Sequence, residues 1–198
     1  MKTLCFIALL LLTLPLTSRA ATATCGWEGT ETILGNSGEI IASIATDPVY
    51  AGNQSLQLED NAPSGTPQAF IGWVTGLDEG DTVSATVWRY DVTPTTAPSC
   101  RIWGHWNDDP SDINVYSGSA SGQSEYGPGE GWDMAQFEWT VSTGHTGLVI
   151  EIRTYSDPGD TVWIDDLTIT APDGATIIVP AETVALERQS WAGIKSSF

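Results

Sequence analysis

Thr82-Val83-Ser84-Ala85-Thr86-Val87-Trp88-Arg89-Tyr90 alternates small or branched apolar residues with polar and aromatic ones as far as Trp88. Successive side chains of a strand point to opposite faces, so Val83, Ala85 and Val87 fall on one side and Trp88 and Tyr90 on the other. Two later segments carry the same period. In Cys100–Trp106, Ile102 and Trp106 alternate with Arg101, Trp103 and His105; in Gly147–Tyr155, Leu148, Ile150 and Ile152 alternate with Glu151, Arg153 and Tyr155. The apolar sides are a candidate core face. The opposite positions, Trp88, Tyr90, Arg101, Trp103, His105, Glu151, Arg153 and Tyr155, are read as one aromatic and charged binding platform.

Outward from these segments, short runs rich in Val, Ile, Thr and aromatics recur between strong turn compositions, and helix-period segments are scarce. That is the pattern of an all-β antiparallel sandwich. Strands are predicted near Ile33–Leu34, Glu39–Ile44, Ser55–Glu59, Gln68–Thr75, Thr82–Tyr90, Cys100–Trp106, Ile113–Tyr116, Ala135–Val141, Gly147–Tyr155 and Thr161–Thr170. Turns fall at Asp78–Asp81, Asp108–Asp112 and Asp157–Asp160. The Gly- and Ser-rich stretch Gly118–Gly131, which holds Tyr126, is the longest loop candidate, either a recognition loop or a plain connector.

Lys2, the apolar run Leu4–Leu16 and the small-x-small site Ser18-Arg19-Ala20 read as a signal peptide over residues 1–20. The expected product is a secreted, extracellular or periplasmic protein with one domain over 21–172 and a C-terminal tail over 173–198. No apolar run beyond the leader approaches the roughly 18 residues of a bilayer span, so membrane insertion is not expected. In the tail, Trp191, Ile194 and Phe198 recur at roughly helical spacing; they either dock on a surface or export partner or pack on their own domain. Removing Lys2 and Arg19 from seven basic residues leaves five against 25 acidic ones, a net charge of −20. Such a charge argues against nucleic acid as a partner, while a local Arg101/Arg153 patch remains able to accept an acidic group. With Cys5 gone, Cys25 and Cys100 remain, and an oxidising destination predicts a disulfide between them. It would close a loop of about 75 residues, worth roughly 4 kcal/mol.

Three segments, Gly52-Asn53-Gln54-Ser55-Leu56-Gln57-Leu58, Val74–Trp88 and Val162-Trp163-Ile164-Asp165-Asp166-Leu167-Thr168-Ile169, together resemble the calcium-containing β-sandwich carbohydrate-binding modules appended to xylanases and glucanases, which are galactose-binding-like jelly rolls. Blocks such as Gly65–Phe70 and Arg101–His105 are also similar to secreted bacterial proteins of unassigned activity. The resemblance implies a jelly roll, a concave sugar-binding sheet that includes the Thr82–Tyr90 and Gly147–Tyr155 strands, and a structural calcium held by Glu28, Asn53 and Asp165. Here Cys25-Gly26-Trp27-Glu28-Gly29 stands where those modules have an Asn-rich, Phe-containing start. By alternation, Trp163, Leu167 and Ile169 share the buried face with Asp165, while Ile164, Asp166 and Thr168 face outward. A buried carboxylate needs partners, which calcium, backbone amides or Arg153 would supply.

Sugar recognition needs flat rings against pyranose C–H faces and planar polar groups for hydroxyls. Trp88, Tyr90, Trp103 and Tyr155 provide rings; Arg101, His105, Glu151 and Arg153 provide hydrogen bonds, and two arginines suit an acidic sugar. Catalysis is less well supplied. A glycosidase needs two carboxylates about 5 to 10 Å apart, and Glu151 is the one acid on the platform; a lyase would use His105 as base, Arg101 or Arg153 to neutralise a uronate, and Tyr155 as acid. No G-x-S-x-G elbow, clustered zinc ligands or phosphate loop is present. The expectation is a non-enzymatic binder of a polysaccharide or glycan. The competing class is an extracellular structural or adhesion protein whose aromatic face contacts another protein.

Overall fold

The computed structural model describes residues 20–92, 100–127, 130–155 and 157–181. The leader segment up to residue 19 and the tail residues Trp191, Ile194 and Phe198 lie outside the described residues. Within them the fold is all β, without a helix: β1 (Ala21–Cys25), β2 (Gly35–Ser37), β3 (Ile40–Ala45), β4 (Ser55–Asp60), β5 (Gln68–Thr75), β6 (Thr82–Asp91), β7 (Cys100–Trp106), β8 (Gly118–Gly122), β9 (Gly131–Thr140), β10 (Gly147–Thr154), β11 (Thr161–Ala171) and β12 (Thr176–Ile178). They form two antiparallel sheets packed as a jelly-roll sandwich. Sheet A runs β3-β4-β11-β6-β9 with β1 also on β11, and sheet B runs β12-β5-β10-β7-β8 with β2 also on β5.

The predicted apolar alternation forms the core. Val83 and Val87 from sheet A, and Ile102, Leu148, Ile150 and Ile152 from sheet B, are fully buried between the sheets, with Ala85 and Trp106 nearly so. Each such aliphatic side chain contributes about 1.5–3 kcal/mol of hydrophobic stabilisation.

The alternation does not say which sheet a strand joins, and here the single-platform expectation fails. β6 lies between β11 and β9 in sheet A, whereas β7 and β10 are neighbours in sheet B. Trp88 and Tyr90 therefore point away from one side of the sandwich, and Arg101, Trp103, His105, Glu151, Arg153 and Tyr155 belong to the other. The phase of β11 also departs from strict alternation. A register shift falls between Asp165 and Thr168, where Asp166 takes a left-handed φ of 50°, so the strand gains a bulge. Ile164 thus joins Leu167 and Ile169 in the core, while Trp163 pairs with Tyr90 on the outside. The bulge also marks the handover on one edge of β11 from β4, which pairs with Thr161–Ile164, to β1, which pairs with Leu167–Ala171.

The structure does not support the expected Cys25–Cys100 disulfide. Cys25 ends β1 in sheet A and Cys100 opens β7 in sheet B, both buried. The predicted strand Ile113–Tyr116 is instead turn and irregular chain, part of the Gly118–Gly131 loop candidate forms β8 and the start of β9, and β12 carries sheet B past the expected domain end at Pro172.

Candidate functional site

On the outer face of sheet B, the register of β10 against β7 sets Arg153 opposite Arg101, Glu151 opposite Trp103 and Val149 opposite His105. On its other edge β10 sets Glu151 opposite Phe70 and Arg153 opposite Gln68. Glu151 is fully buried; its Oε1 accepts from Arg153 Nε at 3.1 Å and Nη2 at 2.8 Å. Its Oε2 stands 3.6 Å from His105 Nδ1, and neither atom makes a hydrogen bond. The Arg153 guanidinium lies 4.6 Å over the Trp103 ring and that of Arg101 5.0 Å from it. Arg101 also meets the rings of Tyr126 and Tyr155, each at 4.4 Å, and its Nη2 donates to the Tyr155 hydroxyl at 2.6 Å.

Beside these residues a cleft of about 420 Å³ is lined by Ser37, Gln68, Phe70, His105, Asn114, Tyr116 and Arg153. Phe70 meets the His105 ring edge-on at 5.2 Å, and Tyr116, 64% exposed, overhangs it at 5.5 Å. The segment bearing Asn114 and Tyr116 is fixed by Asn107, whose Nδ2 donates to the carbonyls of Asp112 and Val115, both at 2.9 Å. Among the described residues six buried side-chain polar atoms lack a hydrogen-bond partner, and four of them belong to this face: Trp73 Nε1, Arg101 Nε, His105 Nδ1 and Glu151 Oε2. Buried polar groups are ordinarily satisfied, so their concentration on one face marks it as built for a polar ligand or ordered water.

Tyr126 owes its place to a residue that alternation puts in the core. Arg89, on the inner side of β6, is 1% exposed and makes a two-pronged pair with Asp133, at 2.9 and 3.0 Å. Its Nη1 donates to the carbonyls of Cys100 and Glu125, which ties the segment before β9 to both sheets. Gly127 has a φ of 91°, and a Cβ there would lie 2.8 Å from Arg89 Nη2, so this segment closes on the guanidinium only with glycine. Tyr126 is thereby held beside Arg101. Its sequence signal was no more than one aromatic in a Gly- and Ser-rich stretch.

Trp88 and Tyr90 meet other partners on sheet A. Tyr50 stacks on Trp88 with centroids 3.9 Å apart and tilts against Trp132 at 5.6 Å; Tyr90 contacts Trp132 at 5.2 Å and Trp163 at 5.9 Å. This is a second, continuous aromatic surface on the opposite side of the sandwich.

The calcium candidates converge on one turn from two sides. Glu28 Oε1 accepts from the backbone of Asn53 at 2.7 Å and of Gln54 at 3.2 Å, and Oε2 from Asn53 Nδ2 at 3.3 Å. Asp165 Oδ2 accepts from the backbone of Tyr50 at 2.9 Å and Ala51 at 3.0 Å, and Oδ1 from that of Asp166 at 2.7 Å. Gly52, at φ 70°, lies where a Cβ would collide with Glu28 Oε1. Every carboxylate oxygen already faces an N–H, and no three His, Cys, Asp or Glu side chains among the described residues group to hold a metal. As arranged, the set is an amide clamp on the turn. Burial pushes the Asp165 carboxyl up despite the Ala51, Asp166 and Tyr50 amides. The exposed Glu28 is held low, first by the Asn53 amide.

Fold and surface together describe an all-β sandwich of two antiparallel sheets with aromatic side chains gathered on both outer faces. No protein-family model matches the chain, and no curated protein matches it in sequence. Among solved structures it is similar to the CBM22-1 xylan-binding domain of Paenibacillus barcinonensis Xyn10C, at 14% identity and TM-score 0.50 over 75% of this chain and 92% of that one. The tandem CBM22-1-CBM22-2 domain of the same protein gives 14% identity and TM-score 0.53 over 84% of this chain and 49% of that chain. The CBM22-1-GH10 modules of Clostridium thermocellum Xyn10B, complexed with xylohexaose, give 14% identity and TM-score 0.50 over 74% and 28%. At these identities the likeness is one of fold.

Proposed function

We propose that this is an exported, non-catalytic carbohydrate-binding protein that holds a polysaccharide on the outer face of sheet B. The observation that carries the reading is the gathering there of unsatisfied buried polar atoms, on Trp73, Arg101, His105 and Glu151, beside the rings of Trp103, Tyr155, Tyr126 and Tyr116. Rings supply stacking surfaces and the orphaned groups supply hydrogen bonds to hydroxyls. Structures of the same fold carry the names of xylan-binding domains, or were solved with xylohexaose, which supports a xylan-type chain as the first ligand to try.

The groups on the face support binding without turnover. Among the described residues, Glu151 is the one carboxylate placed on this face and it is committed to Arg153, whereas a glycosidase uses an acid pair. For a lyase, Arg153 lines the cleft with His105, but the acid Tyr155 is bonded to Arg101, four residues from His105 on β7, roughly 13 Å at strand rise. Titration calorimetry with xylohexaose and a wider oligosaccharide panel tests the proposal. Heat of binding that Trp103→Ala weakens is expected; no response to any glycan from a folded protein overturns it.

The aromatic surface of sheet A favours a second reading, an extracellular structural or adhesion role in which Tyr50, Trp88, Tyr90, Trp132 and Trp163 bury against another protein. A stable assembly that persists without glycan and is lost in Trp132→Ser is its expected sign.

A further inference from the structure

We infer that the glycan held on sheet B carries carboxylates, and that Arg101 is the receptor for one of them; this rests on the glycan-binding reading above. The described residues contain three Lys or Arg side chains, Arg89, Arg101 and Arg153. Arg89 is buried inside the sandwich on Asp133. The other two are direct cross-strand partners on the candidate face, in a chain with 25 acidic residues to draw on for counter-ions. Arg153 has its counter-ion in Glu151. Among the described residues, no carboxylate lies within ion-pair distance of Arg101.

Arg101 is nevertheless a constructed site. Three rings, Trp103, Tyr126 and Tyr155, surround its guanidinium at 4.4 to 5.0 Å, and the Tyr155 hydroxyl orients one end of the fork at 2.6 Å. Guanidinium presents five N–H donors in a plane; one is used by Tyr155, and the buried Nε has no partner. A purely structural cation in so acidic a protein would be expected to sit on a carboxylate. A planar, oriented and weakly hydrated fork that lacks one matches a carboxylate arriving from outside, held by two parallel charge-assisted hydrogen bonds. The rings around it then offer stacking surface to the sugar that bears the acid. The chemistry is that of a uronic acid residue within the bound chain. Long-range repulsion by the net negative charge is screened within about 8 Å at physiological salt, so a contact pair is not prevented.

The experiment compares a uronate-substituted xylo-oligosaccharide with the same oligosaccharide after carboxyl reduction, by titration calorimetry on the full-length protein. The uronate form is expected to bind at least about tenfold more tightly, the effect of one oriented charge-assisted contact. Arg101→Gln erases the ratio between the two forms, and Arg101→Lys restores only part of it, with thermal melts confirming that both variants fold. Equal affinity of the unaltered protein for the two forms, or an unchanged ratio in folded Arg101→Gln, overturns the inference while leaving glycan binding intact. Failure of the protein to bind either form, or any member of the panel, overturns both.

Discussion

Arg101 and Arg153 face each other across β7 and β10, and both guanidinium groups lie over the one ring of Trp103, at 5.0 and 4.6 Å. Two like charges set side by side repel; Glu151 neutralises Arg153, and the π face of Trp103 adds a further offset. Trp103→Ala removes that offset together with an indole ring of the candidate face. We expect glycan affinity to fall by about tenfold to a hundredfold, the effect of losing one stacking ring. Trp88→Ala, on the other sheet, should leave the affinity within a factor of about two. Equal losses in the two variants, measured by calorimetry, would place the ligand elsewhere.

Arg89 links three parts of the molecule, Asp133 on β9, the Cys100 carbonyl on β7 and the Glu125 carbonyl before β9. Arg89→Met keeps much of the stem's volume and deletes the fork. Asp133 is partly exposed and can be solvated, whereas the buried Cys100 carbonyl loses its side-chain donor. The expected cost is about 2–4 kcal/mol of stability in urea denaturation. Because the same fork anchors the segment that carries Tyr126, glycan affinity should fall as well, even for protein that is fully folded at the temperature of measurement.

The core was legible in the sequence because burial imposes a period of two on every strand. Val83, Ala85, Val87, Ile102, Leu148, Ile150 and Ile152 all lie where that period puts them. Sheet membership was not, since the outer faces of two opposed sheets follow the same alternation, and Trp88 differs from Trp103 only in which strands lie beside it. Nor does alternation survive a bulge. The left-handed residue Asp166 moves Ile164 inward and Trp163 outward, a phase change that no count of apolar residues reveals. Arg89 shows a further limit: at an inward position the sequence reads as an error in the pattern, and only the convergence of Asp133, Cys100 and Glu125 makes it a bonded centre.

Asp165 is fully buried, and its three amide donors come from Tyr50, Ala51 and Asp166. In Asp165→Asn an NH2 group must face at least one of those donors, so a loss of about 1–3 kcal/mol is expected. Burial holds the native carboxyl above its ordinary value, so the folded state binds this proton more tightly than the unfolded one. Its contribution to stability is present below the ordinary carboxylate value and lost as pH rises through the raised one. Melting temperature against pH should therefore fall more steeply through that window in the unaltered protein than in Asp165→Asn. The clamp on Tyr50–Gln54 is complete with amides alone, and a chelator should leave the melting temperature unchanged. A drop on chelation that calcium reverses would show that the turn rearranges around a metal.

Asp108 has the opposite sign. Partial burial raises its carboxyl, but the Thr146 amide at 3.0 Å, His145 at 3.1 Å and the Ser117 hydroxyl outweigh it and hold the group below its ordinary value. The folded state then releases the proton more readily than the unfolded chain. The stabilisation is present above the ordinary carboxylate value and is lost as pH falls through the lowered folded one. Asp108 joins the end of β7 to the turn before β10, since Asn107 follows Trp106 and its amide donates to the Gly147 carbonyl at 2.9 Å. Acid should therefore loosen the two central strands of the candidate face at that end first. In Asp108→Asn the acid-side fall in melting temperature should be shallower than in the unaltered protein. Amide hydrogen exchange at Thr146 and His145 should quicken at neutral pH in that variant, because the amide side chain is a weaker acceptor than the carboxylate. An acid limb that Asp108→Asn leaves unchanged would assign the acid sensitivity to other carboxylates.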